Sequence, residues 1–273
     1  MRNDMADIKK IQLIYFSPTG GTKRLATKLA SLLSESLGVP VEETKLMQPE
    51  ARDREYHFKA DELVVLAVPT YAGRVPNKIA PDLRRILKCS GSFAVALAAY
   101  GNRSCGTVLE ELADILKESG ARVIGAGAFV TRHAFNDKIG RGRPDREDRA
   151  ELGFFANEVA EKLRTEDQSE VVLGPAGEYY TPLREDGEPA RFLKAKPLTV
   201  LDKCYHCGLC VKSCVMGAIE EDCVTVSGVC IKCQACVRSC PTSAKYFDDE
   251  DFLSHVRMLE KHCMERAKNI IIV

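Results

Sequence analysis

Residues 11–22, Ile11-Gln12-Leu13-Ile14-Tyr15-Phe16-Ser17-Pro18-Thr19-Gly20-Gly21-Thr22, decide how the chain is read. Ile11–Phe16 is a compact run with β-branched and aromatic character, as a buried strand requires. The six residues after it are turn formers. A helical pattern follows, with Leu25, Leu29, Leu32 and Leu33 on one face and Gly38 as its stop. A strand that runs straight into a helix N-terminus leaves unpaired N–H groups and the positive end of the helix dipole above the turn, which favours an anion. Gly20 and Gly21 allow close backbone approach, and Ser17, Thr19 and Thr22 add hydroxyls. The plain alternative is an N-cap and turn with no ligand. No P-loop Lys-Ser/Thr pair follows a Gly here and no Gly-x-Gly-x-x-Gly pattern follows a strand, so direct dinucleotide binding is unsupported.

Outward from this stretch, strand and helix patterns alternate. Val41–Met47 reads as a second, partly exposed strand, Leu63–Val68 as a third with both faces covered, Phe93–Ala99 as a fourth and Arg122–Val130 as a fifth. Helices are expected over Asn77–Lys88, Gly106–Ser119 and Glu147–Arg164. This is an α/β pattern, a doubly wound five-stranded parallel sheet over residues 1–164. Ligands of such sheets bind at the carboxyl ends of the strands. Three of those ends are unusual: the Ser17–Thr22 turn, Pro69-Thr70-Tyr71-Ala72-Gly73-Arg74 and Tyr100-Gly101-Asn102-Arg103.

Ser-Pro-Thr-Gly-Gly-Thr after the first strand resembles the phosphate loop of flavodoxins, and the element order is similar to the flavodoxin fold, strand order 2-1-3-4-5. The resemblance implies FMN. Its phosphate would lie on Ser17, Thr19, Gly20, Gly21 and Thr22. Its ring would lie between Pro69, Thr70, Tyr71, Ala72 and Gly73 on one side and Tyr100, Gly101 and Asn102 on the other, with Tyr71 and Tyr100 flanking it. The Ala72-Gly73 peptide would meet flavin N5. Taken singly, a loop Tyr is commonly a packed surface residue.

The rest of the chain differs in composition. Of 273 residues, 12 are Cys, and ten of these lie between Cys204 and Cys263. Length alone suggests about two domains. Residues 165–197 lose periodicity and carry Gly174, Pro175, Gly177, Pro182, Gly187, Pro189 and Pro197, as a linker arm would. Lys+Arg and Asp+Glu are both 39, so no basic bias points to nucleic acid. The apolar runs are far below the ~18 residues of a membrane helix. Met1–Phe16 has no signal-peptide core. A cytoplasmic protein is expected, where disulfides are disfavoured and a Cys cluster suggests metal.

Cys204, Cys207, Cys210 and Cys214 recur 26 positions later as Cys230, Cys233, Cys236 and Cys240. Each half reads C-x2-C-x2-C-x3-C, the spacing of bacterial two-cluster ferredoxins, in which the fourth Cys of each run reaches across to the other cluster. Cluster one should take Cys204, Cys207, Cys210 and Cys240, and cluster two Cys230, Cys233, Cys236 and Cys214. Zinc sites built from Cys-x2-Cys pairs do not call for the third Cys and the x3 step. Cys214-Val215 departs from the usual Cys-Pro. Cys223, in a hairpin over Ile219–Val226, and Cys263, on a helical stripe with Phe252, Val256, Leu259 and Ala267, read as packing residues. The scattered His residues lack metal-ligand spacing, with His133 just beyond strand five.

As a whole the chain resembles flavodoxin–ferredoxin fusions of anaerobic prokaryotes, with residues 198–248 as the two-cluster [4Fe-4S] domain and 249–273 as a C-terminal helix and tail. The resemblance implies an electron carrier that joins one-electron and two-electron redox partners, a ferredoxin-like donor or a reductase acceptor. The alternative is an FMN-dependent reductase of a small substrate fed by its own clusters. Its lid would be the Thr131–Arg149 loop, which otherwise reads as a solvated, mixed-charge loop. One cluster is expected beside the loops of Tyr71, Tyr100 or Thr131–Arg149, and the other nearer the surface.

Overall fold

The structure is a computed structural model that describes residues 6–273; Met1–Met5, which open the segment read for a targeting signal, lie outside the described residues. In chain order the strands are β1 (Lys10–Tyr15), β2 (Val41–Lys45), β3 (Tyr56–Phe58), β4 (Glu62–Pro69), β5 (Leu87–Cys89), β6 (Phe93–Tyr100), β7 (Arg122–Val130), β8 (Leu198–Thr199), β9 (Lys245–Tyr246) and β10 (Ile270–Ile272). The α-helices are α1 (Gly21–Leu37), α2 (Ala80–Ile86), α3 (Val108–Glu118), α4 (Arg146–Arg164), α5 (Leu209–Ser213), α6 (Ala235–Ser239) and α7 (Glu250–His262).

The main sheet runs β10-β7-β6-β4-β1-β2. Its five parallel strands, counted in their own order, are 2-1-3-4-5, as expected. The alternation of side chains along each strand sends one set of residues to each face. Ile11, Leu13, Val65 and Leu97 pack under α1 and α4 with Leu29, Leu33, Phe155 and Val159. Ile14, Phe16, Leu66 and Ala96 pack under α2 and α3 with Leu83, Leu112 and Leu116.

The sheet also has a sixth strand that the expectation lacked. β10 pairs antiparallel with β7, Ile271 opposite Gly127, so the C-terminal segment re-enters the first domain. The helix expected to carry Cys263 and Ala267 stops at His262, and Ala267 instead packs against the α2/α3 side of the core. Helix α2 is shorter than Asn77–Lys88 because Leu87–Cys89 is extended, paired with Tyr56–Phe58. Among the described residues no helix is long and apolar enough to cross a membrane.

The linker arm is fixed along the sheet domain. Val171 donates its N–H to Val123, Gly177 to the Thr107 hydroxyl and Tyr180 to the Ala72 carbonyl, while the Tyr179 hydroxyl donates to Val75. Farther on, Ala190, Phe192 and Ala195 join Phe135, Phe247 and Phe252 in an apolar cluster. The Thr131–Arg149 loop keeps solvated charges, with Arg132, Asp137, Lys138, Arg141 and Arg149 exposed, and it also serves as a docking surface. Arg238 of α6 donates to the His133 and Ala134 carbonyls and to Asp137. Arg143 is buried against Asp148 and the Ala267 carbonyl.

Candidate functional site

The 26-residue repeat is written in the backbone as well as in the cysteines. Positive φ recurs at the pairs His206 and Lys232, Gly208 and Gln234, and Gly217 and Ser243. Cys214 (φ −71°, ψ 103°) and Cys240 (φ −77°, ψ 110°) leave α5 and α6 in the same conformation, so Val215 turns the chain as Pro241 does. The amide after each turn donates to sulfur: Ala218 to Cys214 at 3.2 Å and Ala244 to Cys240 at 3.2 Å. Ser213 and Ser239, also repeat mates, bond to each other at 2.8 Å where the halves meet.

Two cavities result. One is lined by Cys204, Cys207, Cys210 and Cys240. The other is lined by Cys214, Cys230, Cys233 and Cys236. These are the two crossed sets expected from the spacing. Among the described residues no group of three or more His, Cys, Asp or Glu side chains is placed to hold a metal ion. Four cysteines lining each cavity match the ligand number of a cubane. Burial pushes the Cys233 and Cys236 thiols up to about 12, so thiolates there need a metal's charge beside them. Cys223, read from sequence as packing, lines the first cavity too. It falls outside both cysteine runs, and nothing in its local sequence marks it.

At the carboxyl ends of the parallel strands, the Ser17–Thr22 turn has Gly20 at φ 84° immediately before α1. Ser17 Oγ accepts from the Lys23 amide at 2.9 Å, which leaves its hydroxyl hydrogen free to donate. Thr19 and Gly20 lie partly exposed on this turn, and Thr22 is buried behind it. A Cβ at Gly21 would lie 3.2 Å from Thr131 Oγ1, so Thr131, absent from the sequence-based set, closes one side of the turn. Pro69 ends β4, and the next residue, Thr70, has a buried hydroxyl without a partner among the described residues. An orphaned hydroxyl beside an anion-binding turn fits a polar cofactor edge.

The other loop residues divide. Tyr71 is partly buried, and enclosure raises its hydroxyl well above the ordinary value, with the nearby Cys233 and Cys230 adding to this. Ala72 and Gly73 form a tight turn at φ 50° and 79°. Their carbonyls already accept from Tyr180 and Thr107, so this peptide is held in place. Tyr100 departs from its expected position beside a ring. It is only 4% exposed, packs in the core, and donates its hydroxyl to the Lys268 carbonyl. Asn102 is also taken up by the tail, donating to the Cys263 and Glu265 carbonyls and accepting from Ala267. Both depend on residues more than 160 positions away, which local sequence does not reveal. Gly101 is needed because His133 packs on it; a Cβ there would lie 2.4 Å from the imidazole. Arg103 stacks on the Tyr180 ring at 3.7 Å and has no hydrogen bond or ion pair among the described residues.

The second cavity abuts this face. Val215 is wholly buried in the core of the sheet domain and Cys233 packs against that core. Arg52, 3% exposed, donates to the Val215 carbonyl at 2.6 Å and to Leu46 and Met47, and pairs with Asp82. The first cavity faces outward, with Cys207 exposed and Tyr205 61% exposed.

A 4Fe-4S binding domain family model matches residues 201–217 and 227–243. A flavodoxin from the domain Archaea is 17% identical with a TM-score of 0.40, over 56% of this chain and 98% of that one. Megasphaera elsdenii flavodoxin is 20% identical with a TM-score of 0.37, over 56% and 98%. Rubredoxin oxygen:oxidoreductase from Desulfovibrio gigas is 17% identical with a TM-score of 0.41, over 57% of this chain and 37% of that one. No curated protein matches the chain. The chain thus joins a parallel sheet of strand order 2-1-3-4-5 to a segment that matches a 4Fe-4S binding domain.

Proposed function

We propose that this is an electron-transfer protein of anaerobic, cytoplasmic metabolism in which two [4Fe-4S] clusters exchange electrons with FMN. The observation that carries the reading is the placement of Cys230 and Cys233, which line the second cavity, near enough to Tyr71 to raise its hydroxyl, with Val215 and Cys233 against the core of the sheet domain. Clusters carry single electrons and FMN one or two, which is the chemistry these groups supply. The chain's own part is to hold the two sites close. Val215, Arg52 and Arg238 fix the second cavity against the sheet domain, and the Ala218 and Ala244 amides direct N–H groups at sulfur. The exposed first cavity is the natural port for a ferredoxin-like donor or a reductase acceptor.

Anaerobically purified protein should contain about eight iron atoms and one FMN per chain. Stoichiometric zinc in place of iron would sink the reading. Gly21→Val should expel FMN with iron retained, because the added branch presses on Thr131 and blocks backbone approach to a phosphate. Reduced low-potential ferredoxin should reduce the flavin, and NADH or NADPH alone should not.

A second reading, an FMN-dependent reductase, is favoured by one observation: the unpaired Arg103 guanidinium beside the Tyr100 loop. Arg103→Gln would then abolish turnover of an anionic substrate while leaving cluster-to-flavin electron transfer intact.

A further inference from the structure

One pair of repeat mates breaks the repeat in charge. Ile219 lines the second cavity, and its mate 26 positions on, Lys245, lines the first. Lys245 is 3% exposed, and its Nζ is buried with no hydrogen bond or ion pair among the described residues. The backbone around it is fixed, since β9 pairs Lys245 with Thr199 of β8. An ammonium stranded in this way is strongly unfavourable unless negative charge meets it. The ammonium lies near Cys210 of the first set and within reach of Cys236 of the second. Asp222 directs its oxygens to the Val224 and Thr225 amides and the Thr225 hydroxyl instead.

We propose that Lys245 is the counter-charge of the cluster held by Cys204, Cys207, Cys210 and Cys240, and that it makes this cluster easier to reduce. The proposal rests on the iron–sulfur reading above. Reduction adds one electron to a cluster and takes one from an external one-electron donor, and no bond forms or breaks. A fixed positive charge in a low-dielectric site stabilises the added negative charge, and net charge is among the terms that set cluster potentials. No lysine lines the second cavity; beside Ile219 it is lined by Val215, Met216, Val226, Val229 and Ile231. Lys196 and Lys232, whose charges reach Cys230 from outside that lining, have their Nζ on the Val226 and Leu193 carbonyls.

The test is a reductive titration of the whole, iron-loaded protein with a viologen dye, followed by electron paramagnetic resonance. Lys245→Met, similar in length and uncharged, should lower the reduction equilibrium constant of one cluster about tenfold, about 59 mV for one electron, and Lys245→Arg should restore it. Ile219→Lys should raise that of the other cluster. Steps that stay put in iron-replete Lys245→Met overturn the proposal. Should Lys245→Met lose iron, Ile219→Lys still decides, and an unmoved step in that variant overturns the proposal. Absence of about eight iron atoms from the unmodified chain would instead defeat the iron–sulfur reading itself, so the two failures are distinct.

Discussion

In the sheet domain, Leu29, Leu33, Val65, Phe155 and Leu163 belong to a wholly buried layer of aliphatic and aromatic side chains, and an equally continuous layer covers the other face. In the cysteine-rich end, the enclosed cluster consists of Cys210, Ile219, Cys223 and Cys236, with Cys204 and Cys214 packed against it. Apolar burial contributes about 25 cal/mol per Å², and the first region has ample area for it. The second has little apolar core beyond the sulfurs that would bind iron. It is completed from outside, by Val215 sunk into the neighbouring core and by Phe247 against Phe252. A domain of the first kind keeps its fold when its ligand leaves. One of the second kind is folded by its metal and by its neighbour.

The sharpest way to break this contrast is to remove the iron. Chelation should abolish amide-exchange protection across residues 198–248 and leave that of β1, β4 and β6 in place. Persistent protection in the cysteine-rich segment would mean that its own packing suffices.

A smaller effect is expected at the seam between the regions. Burial lowers the His133 pKa to about 4, with His255, Arg103 and Arg238 adding to this. The unfolded chain takes up that proton near pH 6.5, so the stabilisation is complete above 6.5 and drains away as pH falls toward 4. The full loss is on the order of 3 kcal/mol. Unfolding followed between pH 7 and 5 should show the decline, and His133→Gln should flatten it. A pH-independent midpoint in the unmodified protein would count against a neutral, buried imidazole.

Smaller again is Arg52→Met. It leaves the Val215, Leu46 and Met47 carbonyls without their donor, at a cost of about 1–3 kcal/mol. Chemical denaturation should detect this, with faster exchange around Val215 than within the sheet. Equal changes in both regions would show that Arg52 serves the sheet domain alone.

The parallel strands and the cysteine repeat were legible because both are local. Apolar runs such as Leu63–Val68 identify covered strands, and fixed Cys spacing identifies a cluster fold. What escaped depends on distant partners. Three isoleucines at 270–272 are too short a run to announce a strand; the open edge of β7 makes them one. Tyr100 and Asn102 read as loop residues beside a ligand until the tail that binds them is in view. Nothing in the local sequence singles out Lys245; its meaning comes from the cavity it lines and from its mate Ile219.

The return of β10 to the edge of the sheet has a mechanical consequence. The cysteine-rich module is anchored at both of its ends, through the arm after α4 and through the segment that follows α7. A module on a single leash must find its docking site by diffusion, at an effective concentration set by the leash. One moored fore and aft loses most of that freedom, including rotation about the line between its moorings once Arg52 and Arg238 engage. The separation between the second cavity and the Tyr71 loop then becomes a constant of the architecture.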